Sequence, residues 1–294
     1  MYSVSLWPYS LYLDVKTLKY RSIKVENKKM ILYILAHIIF STSALSSEVI
    51  AHRGASGYAP ENTISAIKKA IELESTFIEI DIHMTSDGHV VVFHDDRLKR
   101  TTNGEGFLKE KSLKELKELD AGSWFDAKYL GEKIPTLAEV LKLDFKKSKL
   151  IIEVKNVENI YAGIEKKTTE IVNLSSFPNT VIYKSFSSEV LERFNKLDPF
   201  RETLYVTIGP LLKWFVIDDW FRFGSIFDYK FVDYIQVHRY LIDKNLVQKS
   251  HALGKKIIVW DVHTLEDIHK MQELGVDIIE TDYPDRVLPP KIRN

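Results

Sequence analysis

Two charged pairs stand out by their spacing: Glu79 and Asp81 in Phe-Ile-Glu-Ile-Asp-Ile-His, and Glu153 and Lys155 in Ile-Ile-Glu-Val-Lys. In an extended strand, residues two apart point to the same face. Each pair would therefore aim two polar side chains together out of isoleucine-rich surroundings, and carboxylates so placed are costly without a cation. Three carboxylates with open water positions suit a hard divalent ion, Mg²⁺ or Ca²⁺. The competing reading is ordinary salt bridging on a solvated strand face; the repetition of the pattern weighs against it. His52 and His94 each follow a short apolar run and stand beside a charged neighbour, Arg53 and Asp95. Imidazole titrates near neutrality and can give and take protons within one turnover. Arg53 offers a planar fork of donors matched to phosphate oxygens, and Lys155 a point charge. A metal, two cations and two histidines at one rim describe a phosphoryl-transfer site. The remaining histidines, His37, His83, His89, His238, His251, His263 and His269, are expected to be ordinary core or surface residues.

The elements that must hold these groups can be read from the apolar periodicity. Short β-branched runs at 49–51, 77–82, 90–93, 150–154, 180–183, 203–206, 234–237, 257–260 and 277–280 predict strands. Amphipathic stretches at 63–74, 137–143, 188–197, 244–253 and 265–274 predict helices, with Gly254 and Gly275 placed to end two of them. This alternation over about 245 residues predicts a (β/α)₈ TIM barrel, an α/β fold, as a single domain over 48–294. The rival is a doubly wound open sheet. A barrel makes the sharper demand, that functional residues sit at the carboxyl ends of many strands. His52-Arg53, Glu79, Asp81, His94, Glu153, Lys155, Trp260-Asp261 and Thr281-Asp282 all fall there. Paired carboxylates on a barrel also mark glycoside hydrolases, but that chemistry gives no reason for two histidines, Arg53 and Lys155 on the same rim.

The ordered motifs carry a family resemblance. They run Val-Ile-Ala-His52-Arg53-Gly54, Ala59-Pro60-Glu61-Asn62-Thr63, Ile78-Glu79-Ile80-Asp81, Ser86-Asp87-Gly88-His89-Val90, Val92-Phe93-His94-Asp95 and Leu98-Lys99-Arg100-Thr101-Thr102-Asn103-Gly104. They continue through Ile152-Glu153-Val154-Lys155, Ser185-Phe186-Ser187, Val259-Trp260 and Gly275-Val276-Asp277-Ile278-Ile279-Glu280-Thr281-Asp282-Tyr283-Pro284. Over residues 49–287 the chain resembles the glycerophosphodiester phosphodiesterases. The resemblance implies a (β/α)₈ barrel in which Glu79, Asp81 and Glu153 bind one divalent cation, Ca²⁺ or Mg²⁺. It further implies that His52 and His94 act as general acid and base, and that Arg53 and Lys155 hold the phosphate. The implied substrate is a small-molecule glycerophosphodiester such as glycerophosphocholine or glycerophosphoethanolamine, split into sn-glycerol 3-phosphate and an alcohol. Which histidine is the acid stays open, as does direct water attack against a cyclic intermediate.

Supporting roles fall to Glu61, which could orient Arg53 or a metal-bound water, to Asn62 as a helix cap, and to Asp95 as an orienter of His94. Phe186 and Trp260 could wall a glycerol pocket. One departure concerns the rim: the family usually reads Trp-Thr-Val-Asn where this chain has Trp260-Asp261-Val262-His263, which puts substrate preference in doubt there. A second is the aromatic and aliphatic stretch 209–229. If exposed, it would favour a lipid-like or membrane-surface substrate, and it sustains an alternative, a lysophospholipase D-like or cyclic-phosphate-forming lipid phosphodiesterase on the same barrel.

Composition bounds these readings. The 294 residues carry 41 Lys plus Arg against 41 Asp plus Glu and no Cys. A balanced charge argues against nucleic acid as a partner bound by bulk electrostatics, and the absence of Cys removes disulfides, thiolate metal sites and cysteine nucleophiles. At the amino end, Lys28-Lys29, the apolar run 31–40 and the small residues 41–47 spell a signal peptide over about 28–46, cleaved after Ser46. Residues 1–29 fit poorly ahead of it and read as a misassigned extension, with the true start at Val25 or Met30. The chain is thus expected to be exported, periplasmic or secreted. Removing six basic and two acidic leader residues leaves 35 basic against 39 acidic, a net charge of −4.

Overall fold

The computed structural model describes residues 47–156, 158–176, 180–207, 210–212, 215–218, 222–224 and 230–288, with side chains left out of account from 208 to 229. The leader at 28–46, the extension before it and the side chains of the 209–229 stretch therefore lie outside the described residues.

Eight parallel strands close into a barrel. In chain order they are β1 (Glu48–Ala51), β2 (Phe77–Met84), β4 (Lys149–Val154), β5 (Val181–Ser185), β6 (Thr203–Thr207), β10 (Tyr234–His238), β11 (Lys256–Trp260) and β12 (Ile278–Thr281). Each pairs in parallel with its neighbours, and β1 closes the ring by pairing with both β12 and β2. The barrel expected from the alternation is the fold observed. Side chains alternate between two apolar layers. Ile50, Phe77, Ile151, Ile182, Leu204 and Ile258 fill the lumen, while Val49, Ile78, Ile80, Ile152 and Val259 face the surrounding helices.

Those helices are α1 (Ile64–Glu72), α2 (Leu113–Glu118), α3 (Leu137–Val140), α4 (Ile164–Asn173), α5 (Ser188–Leu197), α6 (Lys244–Ala252) and α7 (Leu265–Leu274). Most start where a hydroxyl or carboxylate can accept the first loose backbone N–H groups. Thr63, Ser187, Asp243 and Thr264 do this for α1, α5, α6 and α7. Gly275 ends α7 in the left-handed region, at φ 82°, as the sequence predicts.

Several elements depart from the sequence reading. The run at 90–93 forms β3 (Val90–Val92), which stands outside the barrel and pairs antiparallel with the far end of β2. The strand expected at 180–183 is shifted to Val181–Ser185, and the helix expected at 137–143 is the single turn of α3. Helix α4 was not expected at all. Between β6 and β10 the backbone makes a three-stranded antiparallel sheet, β7 (Pro210–Leu212), β8 (Phe215–Asp218) and β9 (Arg222–Gly224).

Candidate active site

The carboxyl ends of β1, β2, β4 and β12 meet at one rim. Along β2, Phe77, Glu79 and Asp81 share the inward face, so the strand that fills the lumen with Phe77 also delivers two carboxylates above it. Register does the rest: Asp81 lies beside Glu153 of β4, and Glu153 beside Lys184 of β5. Ligand oxygens of Glu79, Asp81 and Glu153 come within 4.8 Å of one another, and all three residues are buried. The lysine nearest them in sequence, Lys155, reaches Asp81 Oδ1 at 2.9 Å and also contacts Glu153 Oε1.

The loop after β1 folds over this cluster. Arg53 has φ 54° and Gly54 φ 78°, and a Cβ at Gly54 would lie 2.6 Å from the Ala66 backbone carbon of α1. Glycine is the residue that permits both the turn and the contact. The turn points the Arg53 amide at Glu79 Oε2, 2.9 Å away, and swings Asn62 inward, where its Nδ2 donates to Asp81 Oδ2 and its Oδ1 accepts from the Asp81 amide. Asn62 therefore does not cap the helix. Thr63 does, and Asn62, at φ 59°, fixes a carboxylate.

His94 arrives by a different route. Strand β2 overshoots the barrel, turns at Thr85–Gly88 with Gly88 at φ 78°, and returns as β3. His94 then hangs over the rim with Nδ1 donating to Asp95 Oδ1 at 2.6 Å. A charged chain continues from there: Asp95 to Arg100, Arg100 bidentate to Glu61, and Glu61 to Arg53 Nη1 at 2.7 Å. Glu61 thus contacts Arg53, and Asp95 contacts His94. An open cavity of about 450 Å³ lined by His83, His94, Asp95, Asp96, Arg97 and Lys155 adjoins them. His83, read as an ordinary core residue, is buried and fully engaged with the Tyr161 hydroxyl and the His94 carbonyl. Phe186 meets Trp260 edge-on, with ring centroids 6.2 Å apart, and Lys155 Nζ lies 5.9 Å from the Phe186 ring centroid.

His52 is held from the last strand. Its Nδ1 donates to Asp282 Oδ1 at 2.8 Å, and its Nε2 lies 3.7 Å from Glu280 Oε1. Ser56 donates to the same Asp282 oxygen. The departures Asp261 and His263 pack beside this pair, with His263 Nε2 3.3 Å from Asp261 Oδ1 and 3.7 Å from Asp282 Oδ2.

These surroundings set charge. Burial disfavours a charged His52, but the Asp282 hydrogen bond and the Glu280 carboxylate outweigh it and raise its pKa to about 9. Burial also lowers His94, and the Lys155 and Arg53 charges add to the effect. Glu79 is pushed up to about 7 by burial and by the neighbouring Asp81 and Glu280 charges. Burial opposes ionisation of Asp81 too, yet Lys155 and Arg53 hold it well below the usual carboxylate range. A carboxylate raised first by burial and then by like-charged neighbours marks a place where a cation would be stabilising. The donor set, oxygen only, fits a hard divalent cation.

Three participants escaped the sequence reading, and a fourth, Asp282, stands there at a strand end without a role. Arg100 sits in a quoted motif without an assigned role, and Glu280 lies in the last one. Lys184, buried inside the barrel, carries no local signal, because its partners Glu79 and Glu280 are 105 and 96 residues away.

A parallel barrel with carboxylates, cations and imidazoles gathered at its carboxyl rim is the architecture of a phosphoric-ester hydrolase. Residues 52–286 match the model of the Glycerophosphoryl diester phosphodiesterase family. The chain is 39% identical over 82% of its length to the glycerophosphodiester phosphodiesterase of Caldanaerobacter subterraneus, of which it covers 96%. It is 34% identical over 80% of its length to that of Bacillus subtilis, of which it covers 83%. A phosphodiesterase of Oleispira antarctica, solved in complex with the product sn-glycerol-3-phosphate, superposes with a TM-score of 0.72 at 30% identity, covering 82% of this chain and 94% of that one. The chain belongs to the glycerophosphoryl diester phosphodiesterase family and is an enzyme of that class.

Proposed function

We propose that the enzyme hydrolyses glycerophosphodiesters of the glycerophosphocholine and glycerophosphoethanolamine type to sn-glycerol 3-phosphate and an alcohol, assisted by one Ca²⁺ or Mg²⁺ at Glu79, Asp81 and Glu153. The observation that carries this reading is the convergence of three buried carboxylates, Arg53, Lys155 and two differently partnered imidazoles at one rim. The cation, when bound, supplies charge neutralisation to the phosphate as pentacoordinate character develops. Arg53 and Lys155 orient the phosphate oxygens by charge-assisted hydrogen bonds. His94, with Nδ1 committed to Asp95 and Nε2 left to accept, takes the proton of the attacking oxygen as the new P–O bond forms. His52, kept protonated by Asp282, delivers a proton to the leaving alkoxide as the old P–O bond breaks. The assignment of acid and base rests on their opposite settings: the Asp282 hydrogen bond and the Glu280 charge raise His52 despite its burial, whereas burial, helped by Lys155 and Arg53, lowers His94 despite Asp81 and Asp95.

Incubating the purified protein with glycerophosphocholine and with lysophosphatidylcholine, with and without EDTA, tests this. Glycerol 3-phosphate and choline are expected from the first substrate, and EDTA should abolish both. Choline released only from lysophosphatidylcholine would instead establish the lipid-directed alternative, and no metal-dependent release from either substrate would sink both readings.

A further inference from the structure

Beneath the three carboxylates the barrel holds a second, overlapping set. His52, Glu79 and Glu280 also bring potential ligand atoms within 4.8 Å of one another, so Glu79 is common to two triads. The ammonium of Lys184 stands between them, 3.2 Å from Glu79 Oε1, 3.1 Å from Glu153 Oε2, and 3.1 and 3.3 Å from the two Glu280 oxygens. One nitrogen thus has four carboxylate oxygens around it, in a side chain only 3% exposed. Gln236, wholly buried on β10, donates from Nε2 to Glu280, while its Oε1 finds no donor among the described residues. An acceptor left without a partner at that depth is costly.

Charge bears on what the enclosure holds. The carboxylates of Glu79, Asp81, Glu153 and Glu280 face Lys155, Lys184, the Arg53 guanidinium 3.5 Å from Asp81 and the His52 imidazole 3.7 Å from Glu280. Taking Lys184 away leaves these four carboxylates against Lys155 and Arg53 as fixed cations, an imbalance that a second positive ion can fill. Carboxylate oxygens around an enclosed point charge are also the donor set of a hard cation.

Building on the cation reading of Glu79, Asp81 and Glu153, we propose that Lys184 is a positioning residue that fills a second cation position with a fixed ammonium. The site is thereby limited to one divalent ion, and removing the ammonium opens a place for another. Lys184 contacts no reacting atom; it acts by holding Glu79 and Glu153 toward the rim and by excluding a competing ion from below.

Titration calorimetry of the purified, EDTA-stripped protein with Mn²⁺ tests this. One ion per chain is expected for the wild type, two for Lys184→Met, and one again for Lys184→Met/Glu280→Gln, in which the second position loses a ligand. Electron paramagnetic resonance of the Mn²⁺-loaded proteins is expected to show an exchange-coupled pair in Lys184→Met alone. A merely structural lysine would not change the stoichiometry. If Lys184→Met is unfolded without metal, its circular dichroism is expected to recover in millimolar Mn²⁺, and failure to recover overturns the proposal. A wild type that binds no ion would overturn the underlying cation site. A wild type and a folded Lys184→Met that each bind one ion, without a coupled signal, would overturn the role of Lys184 alone.

Discussion

His52 and His94 carry the same imidazole into opposite electrostatic settings. For His52 to act as an acid it must be protonated, and its pKa, raised from 6.5 to about 9, keeps it so across neutrality. For His94 to act as a base it must be neutral, and its pKa is lowered from 6.5. The kcat/KM profile is therefore expected to be bell-shaped, rising along an acid limb below pH 6.5 and falling along an alkaline limb near pH 9. Replacing Asp282 by Asn removes the carboxylate that raises His52, so the alkaline limb should move down toward pH 6.5 while the acid limb stays. His52→Ala should lower kcat by about 10²–10⁴-fold. A pH–rate series on the three proteins decides the matter: an unmoved alkaline limb in Asp282→Asn would refute the assignment. These two histidines were legible because each ends an apolar run beside a charge. Asp282 and Lys184 were not, since what they do depends on partners brought close only by ring closure.

Among the elements, α1 carries the loop that places Arg53, Asn62 and Glu61, and its first turn is tied by Thr63, which accepts from Ala66 N and donates to Pro60 O. Thr63→Ala is expected to cost about 1 kcal/mol, seen as a fall of roughly 2–4 °C in Tm for a domain of this size. Because the same turn aims Asn62 at Asp81, cation affinity should fall with it. A variant with unchanged Tm and affinity would show that the loop holds itself without the cap. Strands were legible at this scale because β-branched runs alternate cleanly. Helix α4 was not, for physical reasons: Gly163 at φ 81° precedes it and offers no capping side chain, and its buried face includes Glu165, Thr168 and Thr169. Glu165 accepts from Asn156 and pairs with Arg193 of α5, contacts that a reading of hydrophobic period cannot contain. The antiparallel return of β3 was hidden for a similar reason, because a three-residue valine run looks the same inside a barrel or beside it.

Over the whole molecule, a cation held at the proposed carboxylate site would stabilise the fold. A ligand that binds only the folded state at 100 times its Kd adds about 2.7 kcal/mol. Saturating Ca²⁺ or Mg²⁺ should therefore raise Tm on the order of 5–10 °C, and Glu153→Gln should lose most of that increment. Differential scanning fluorimetry over a cation series reads it directly; a Tm independent of cation concentration would contradict the carboxylate site. The ring closure has a further consequence, in the time course of synthesis and folding. Strand β1 pairs with β12, and His52 donates its hydrogen bond to a residue 230 positions later. Contacts of such high sequence separation form slowly, since a long loop must close before any interaction offsets its entropy. A nascent chain that has emerged as far as β11 already contains every rim carboxylate of β2 and β4, yet it has neither a closed ring nor an anchored His52. Catalytic competence is therefore acquired late and all at once, when the final strand docks.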